Sequence, residues 1–323
     1  MVPVAQVPER TEEAALSTAD GPPLLVLAGA TATGKSELAL ALCAGGRGEI
    51  VCADSAVVYR GLDVGTAKAT AAERAAVVHH LVDVRNPEET FSVAEYRQLA
   101  EEAIRAAVRR GTAAVLTGGT GLYIRQVLDA PRLPPVPAQP EIRAALGRRP
   151  RESLHAELSI VDPAAAARIH PSNVRRVIRA LEVLEVTGRP ISEQWAASAP
   201  SRRPACFVVL DRPREVLLRR IARRVDRMLA DGLVAEVRGL LASGVSPAAQ
   251  SMQALGYRQT VRHLSGAGTL AQLRAEIITA TAQYAKRQRT WFRREPATVW
   301  IDLGDDPAVA VLDQLRRIWL GTG

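Results

Sequence analysis

The sequence predicts an α/β protein, a parallel sheet flanked by helices and interrupted once by an all-helical insertion. Two observations carry the sheet and a third carries the insertion. Short, continuously apolar runs recur along the chain, each followed by a stretch of helical periodicity, which is how strands buried on both faces read. The first run passes through a glycine-rich loop directly into a helical pattern. Between Pro131 and Pro204 the apolar runs stop and only helical patterns remain.

Taken in order, Leu24-Leu25-Val26-Leu27-Ala28 is the first predicted strand, and residues 35–44, rich in good helix formers, are the first helix. Residues 49–53, 80–84 and 113–117 read as the next three strands, and residues 206–210 and 298–302 as the last two. The helix over 92–110 has the clearest ends. Ser92 caps it, Glu95 completes a capping box and Gly111 closes it. The proline-rich run 131–137 can be neither helix nor central strand and reads as an extended linker. Beyond it the strongest helical pattern spans 172–187 and closes at Gly188. The predicted organisation is a disordered polar tail over 1–22, core over 23–131, a helical insertion over 132–199, and core again over 200–323.

Gly29-Ala30-Thr31-Ala32-Thr33-Gly34-Lys35-Ser36 fits G-x-x-x-x-G-K-[ST] in the strand–loop–helix setting where that pattern has physical meaning. Its glycines let successive N–H groups converge on a phosphate at a helix N-terminus, which already favours anions. Lys35 adds a point charge, and the Ser36 hydroxyl is placed to hold Mg²⁺. All eight residues are candidate diphosphate ligands, and the expected core is a P-loop NTPase-like parallel sheet. The loop announces a diphosphate or triphosphate without naming the reaction.

Composition narrows the class. Of 323 residues, 47% are hydrophobic and 24% charged, the balance of an ordinary globular protein. Lys and Arg number 42 against 34 Asp and Glu, and the net charge of +8 favours a phosphate-rich macromolecular partner. Cys43, Cys52 and Cys206 are odd in number and lack metal-ligand spacing, which fits a reduced, cytoplasmic setting. No apolar run approaches the roughly 18 residues of a membrane span, and no signal-peptide core is present.

Other residues carry candidate chemistry. The second strand delivers Asp54 and Ser55 to its C-terminal end, in the crevice where such sheets bind ligands. Asp54 reads equally as a functional carboxylate, taking a proton from an acceptor nucleophile or coordinating Mg²⁺ indirectly, or as a helix or turn cap. The fourth strand ends in Thr117-Gly118-Gly119-Thr120-Gly121, where triphosphate hydrolases usually carry an acidic magnesium ligand. That speaks against hydrolysis and for a close approach to the backbone, or for a plain tight turn. Residues 219–228 form a basic amphipathic helix, and spacing does not select which arginine reaches a phosphate. Residues 284–294 interleave cations with aromatics. This is a surface for phosphates and stacked bases, or else a charged helix end beside buried rings. His79 and His80 have no third ligand in range and read as loop or core residues.

Several blocks occur together and in order: the phosphate loop, Ala53-Asp54-Ser55, residues 58–68, and His79-His80-Leu81. Residues 118–123, 175–182, 253–257 and 284–294 follow. With them the chain resembles the bacterial tRNA dimethylallyltransferases, which prenylate the adenosine on the 3′ side of the anticodon. The resemblance, over about residues 24–302, implies dimethylallyl diphosphate in the loop with Mg²⁺ on Ser36. It implies a catalytic set of Asp54 as base, Lys35 and Arg224 on the diphosphate, and Thr120 at the nucleotide. RNA contacts are implied for Asp54, Ser55, Ala56, Val57 and Thr120, and in the insertion for Arg143, Arg175, Arg176, Val177, Ile178 and Arg179. The C-terminal part adds Gln253, Ala254, Leu255, Gly256, Tyr257 and Arg258, then Lys286, Arg287, Gln288, Arg289, Thr290, Trp291, Phe292 and Arg293. The implied partners are the tRNA anticodon stem-loop and dimethylallyl diphosphate, acting on a cytoplasmic monomer.

Two positions depart from the family pattern. Many members have Gln where this chain has Val57, which removes a side-chain hydrogen bond to the base, and Pro where it has Ala30, which loosens the loop's preset backbone slightly. Competing readings are a P-loop small-molecule kinase with Asp54 as base, and a prenyltransferase acting on free adenine nucleotides. The first leaves the glycine-rich fourth strand tip unexplained. Neither uses the insertion or the basic–aromatic block. A purely RNA-binding role leaves Lys35, Ser36 and Asp54 without purpose.

Overall fold

The computed structural model describes residues 23–129, 136–197, 202–296 and 298–320. The tail over 1–22 and residues 131–135 of the linker lie outside them. Six strands form one all-parallel sheet: β1 (Leu24–Gly29), β2 (Gly48–Ala53), β3 (His79–His80), β4 (Ala113–Gly118), β5 (Ala205–Asp211) and β6 (Thr298–Asp302). Their order is β3-β2-β4-β1-β5-β6, so β1 lies between β4 and β5. Its carboxyl end therefore opens into a crevice flanked by the ends of both neighbours.

The pleat sends alternate side chains to two cores. Leu24, Val26 and Ala28 of β1 join Val51, Leu116, Phe207 and Val209 beneath the helices Val93–Arg109, Arg214–Ala230 and Leu270–Phe292. Leu25 and Leu27 join Ile50, Val115 and Val208 on the other face, under Lys35–Cys43 and Leu312–Leu320. Each buried leucine contributes about 1.5–3 kcal/mol. Burial on both faces explains the unbroken apolar runs.

The helix Val93–Arg109 has the expected ends. The Glu95 N–H donates to Ser92 Oγ, the Ser92 N–H donates to the Glu95 carboxylate, and Gly111 follows with a φ of 71°. The third strand is a correction, because only His79 and His80 pair with β2. Leu81 and Asp83 adopt positive φ (61° and 55°), and the N–H groups of Asp83 and Val84 bond the carbonyls of Val57 and Val58 instead of the sheet. The buried Lys68 ammonium locks that loop by donating to Asp83 Oδ1 (2.6 Å) and to the Tyr59 carbonyl (2.8 Å). His80 pairs with the buried Glu49 carboxylate (2.6 Å), which Arg110 also grips.

Asp129–Arg203 forms a second compact unit. Its core, with Leu154, Leu158, Val177, Leu181 and Ile191, is built from its own helices, chief among them Arg151–Val161 and Val174–Thr187. Gly188 ends the latter at a φ of 66°. The unit extends a few residues beyond 132–199 at each end, where Asp129 and Arg202 pair antiparallel. No helix among the described residues is long and apolar enough to cross a membrane.

Candidate active site

The loop after β1 curls through Ala32 (φ 65°) and Gly34 (φ 104°). At Gly34 the conformation favours glycine, and a Cβ there would also stand 2.6 Å from the Ala308 methyl. The helix Lys35–Cys43 then starts with no side-chain cap, leaving its first N–H groups available to an anion. Lys35 folds back over the loop and donates to the Ala30 carbonyl (2.7 Å). Lys35 is part-buried, and burial, reinforced by Arg224, pushes its pKa down to about 7, with Asp54 opposing. Ser36 is exposed on the first turn, whereas Thr33 turns inward and its Oγ1 donates to the Ala30 carbonyl (2.9 Å). The Thr33 N–H is directed at the same carbonyl (3.4 Å).

Three arginines brace this loop and its surroundings. Arg212 Nε donates to the Thr33 carbonyl (2.9 Å) and Nη1 to that of Gly304 (3.0 Å). Arg220 Nε donates to the Ala32 carbonyl (2.9 Å), and Arg224 Nη2 to the Thr66 carbonyl (2.8 Å). Arg220 and Arg224 are one turn apart on Arg214–Ala230, hence on one face. Burial lowers the Arg224 pKa and Asp54 raises it, so Lys35, Arg224 and Asp54 form one electrostatic group. The resemblance pointed to Arg224. Sequence reasoning missed Arg212 and left Arg220 among undistinguished cations, though the i, i+4 spacing to Arg224 was legible.

Asp54 leaves the tip of β2 with Oδ1 accepting the Ala56 N–H (2.8 Å). It is a turn cap, as one reading expected, but the cap occupies one carboxylate oxygen. Its charge also raises the pKa of Tyr284, after the larger effect of burial. The turn after β4 is tied to β2 by the Thr120 N–H, which donates to the Ala53 carbonyl (3.1 Å). Thr120 Oγ1 is buried and lies close enough to the Tyr284 hydroxyl to lower its pKa. From Leu270–Phe292, Gln288 reaches both loops. The Thr31 N–H donates to its Oε1 (2.9 Å), and its Nε2 donates to the Gly119 carbonyl (2.9 Å). Trp291 packs so tightly on Gly121 that a Cβ there would stand 2.3 Å from the ring, and the Arg125 guanidinium lies over that ring at 4.6 Å. A cationic loop, a carboxylate and an uncharged turn thus converge at the carboxyl ends of β1, β2 and β4.

The residues expected at RNA divide by exposure. Ser55, Arg175, Arg176, Gln253, Arg258, Lys286, Arg287, Thr290 and Arg293 are exposed. Ala56, Val57, Ile178, Ala254 and Leu255 are part-buried. Others are buried or already paired within the protein. Val177, Tyr257 and Phe292 are core side chains, occupied by packing. Gly256 is buried beside Tyr257, at a φ of 92°. The Tyr257 hydroxyl donates to Glu236 (2.6 Å), whose carboxylate also accepts the N–H groups of Asp63 and Val64. Arg143 and Arg179 are drawn onto the fully buried Glu182 (2.8 and 2.7 Å). Arg289 pairs with Asp211 (2.5 Å), and Gln288 is buried as described.

The family model described as IPP transferase matches residues 57–295. The tRNA dimethylallyltransferase 1 of Trichlorobacter lovleyi is 46% identical over 293 residues, covering 89% of this chain and 96% of that protein. The tRNA dimethylallyltransferase of Roseiflexus castenholzii is 49% identical, covering 86% and 92%. Among solved structures, the full-length tRNA isopentenylpyrophosphate transferase of Bacillus halodurans aligns with a TM-score of 0.70 at 38% identity, covering 93% of this chain and 96% of that one. A eukaryotic dimethylallyltransferase acting on tRNA aligns with a TM-score of 0.80 at 25% identity, covering 93% and 79%. With a phosphate loop, a strand-end carboxylate and this breadth of likeness in one chain, the protein belongs to the IPP transferase family.

Proposed function

We propose that this chain transfers a dimethylallyl group from dimethylallyl diphosphate to the exocyclic N6 amine of the tRNA adenosine adjacent, on the 3′ side, to the anticodon, releasing diphosphate. The observation that carries this reading is the grouping of Asp54 with Lys35 and Arg224 beside a glycine turn that lacks an acidic side chain. The adenine amine is a weak nucleophile because its lone pair is delocalised into the ring. Asp54 takes its proton as the allylic carbon arrives, so the N–C bond forms while the allylic C–O bond breaks. Lys35 and Arg224 meet the charge that builds on the departing diphosphate. The nucleotide must leave its stacked loop to reach Asp54, and the buried Thr120 hydroxyl, on the turn beside Asp54, is placed to bond it.

Mg²⁺ fits the residues present. Among the described residues no group of three His, Cys, Asp or Glu could hold a metal, so the chain offers the exposed Ser36 hydroxyl and leaves the remaining positions to diphosphate oxygens and water. That is how Mg²⁺ is commonly bound beside phosphates, where it neutralises developing charge. A kinase reading leaves Gly118 and Gly119 at the β4 tip without a purpose. A free-nucleotide acceptor leaves Arg175, Arg176, Lys286, Arg287 and Arg293 without one. The reading carries a cytoplasmic, monomeric enzyme with it. Incubation of unmodified tRNA with the protein, dimethylallyl diphosphate and Mg²⁺ should yield dimethylallyl-adenosine by nucleoside mass spectrometry. ATP-dependent phosphorylation of a small acceptor, with no such nucleoside, would overturn the reading.

A further inference from the structure

Gln288 differs from the cations around it. It is 6% exposed, on the inward face of Leu270–Phe292, and both ends of its amide are engaged. Oε1 accepts the Thr31 N–H and Nε2 donates to the Gly119 carbonyl, each at 2.9 Å. Thr31 lies in the phosphate loop, and Gly119 immediately precedes Thr120. The ladder between β1 and β4 ends at the pair Ala28 and Gly118, so beyond it the sheet no longer sets the distance between these segments. Gln288 spans that interval. A primary amide presents an acceptor and a donor side by side in one plane. A Cβ at position 119 would stand 2.1 Å from Nε2, so glycine leaves the room the amide needs.

We propose that Gln288 is a positioning residue that sets the spacing of the donor loop and the acceptor turn, rather than an RNA contact. The assignment rests on the reading above, in which residues 29–36 hold the diphosphate and Thr120 meets the nucleotide. In a transfer between two bound partners, a misplacement of about 1 Å costs roughly 100-fold in rate. Without the brace both substrates bind, but the loops that orient them drift.

The test uses the full chain with Gln288→Leu and Gln288→Glu. In Gln288→Leu, kcat should fall by roughly 100-fold. Dissociation constants for tRNA and for inorganic pyrophosphate should stay within about threefold of the parent. Amide hydrogen exchange should quicken in both 29–36 and 117–121. Gln288→Glu keeps an acceptor for Thr31 but, when ionised, has no donor for Gly119, so faster exchange should be confined to 117–121. This second variant decides the matter if the leucine variant does not fold. Weakened tRNA binding with kcat intact at saturating tRNA makes Gln288 an RNA contact and overturns the proposal. Unchanged kcat and exchange overturn it equally. If the parent protein does not prenylate tRNA, the functional reading fails, while the exchange arm still reports on the brace.

Discussion

In the proposed reaction two residues carry most of the chemistry, and their environments make their roles separable. Asp54 both caps a turn and sits with Lys35 and Arg224. In Asp54→Asn the amide oxygen can still accept the Ala56 N–H, so the turn survives and only the base is lost. Its kcat should fall by roughly 10²–10⁴-fold with tRNA affinity nearly unchanged, as steady-state kinetics and a binding titration would register. Near-normal turnover would make Asp54 a cap alone. Lys35, held down to about 7 from an ordinary 10.5, has a definite sign. Between those values the unfolded chain binds the extra proton, so this group's contribution to stability rises as pH climbs from 7 towards 10.5, and its penalty is complete below 7. Lys35→Met should therefore melt higher than the parent at pH 6, with an advantage that shrinks by pH 10. Loss of the ammonium should cost about 3 kcal/mol of transition-state stabilisation, the scale of a removed oxyanion donor. Above pH 7, diphosphate binding should take up a proton, and calorimetry in buffers of different ionisation enthalpy measures that uptake.

At the scale of elements, the helix Leu270–Phe292 does two jobs on two faces. Ala285, Gln288 and Phe292 point inward, while Lys286, Arg287, Thr290 and Arg293 point outward. The alternation of cation and aromatic in 284–294 was legible in the sequence, but not which of its side chains face solvent and which the core. Periodicity assigns residues to faces only when the buried stripe is apolar, and here a buried glutamine breaks it. The phosphate loop, the six strand positions and the Ser92 cap were legible because each depends on local chemistry. The shortness of β3 was not, since it follows from positive φ at Leu81 and Asp83 and from the distant Lys68 ammonium. Arg212 escaped for the same reason, as its partners Thr33 and Gly304 are far along the chain. A quantitative consequence follows for RNA binding. Lys286→Ala, Arg287→Ala and Arg293→Ala should each weaken tRNA binding and reduce the log–log salt slope by up to about 1. Arg289→Ala should leave that slope nearly unchanged, because Asp211 already neutralises Arg289. A salt slope that moves with Arg289 but not with the other three would reverse the assignment of faces.

The whole molecule consists of two units, each with a core of its own. Every strand of the sheet belongs to the unit that also holds residues 29–36, Asp54, Arg224 and Gln288. The second unit is inserted through ends that meet, since Asp129 and Arg202 pair antiparallel, which brings their Cα atoms to about 5 Å. A short Gly/Ser linker in place of residues 130–203 can therefore close the chain without pulling on β5. Within the insertion, Glu182 is fully buried, with Arg143 and Arg179 drawn onto it and the Gln139 N–H donating to it (2.6 Å). Burial raises the Glu182 pKa, but those bonds and the Arg179 charge bring it below its ordinary value. Arg175 and Arg176 are exposed beside them on Val174–Thr187, so the insertion offers its cations on a rigid frame. The shortened protein should keep a cooperative melt and bind inorganic pyrophosphate with near-parental affinity, because its phosphate loop and arginines are intact. It should lose most tRNA affinity and nearly all transfer. Arg175→Ala with Arg176→Ala in the full chain should reproduce part of the RNA loss and none of the pyrophosphate loss. Paired titrations with pyrophosphate and with an anticodon stem-loop separate these outcomes. If the shortened protein prenylates tRNA at near-parental efficiency, RNA recognition resides in the core unit, and the cations of residues 284–294 carry it without help from the insertion.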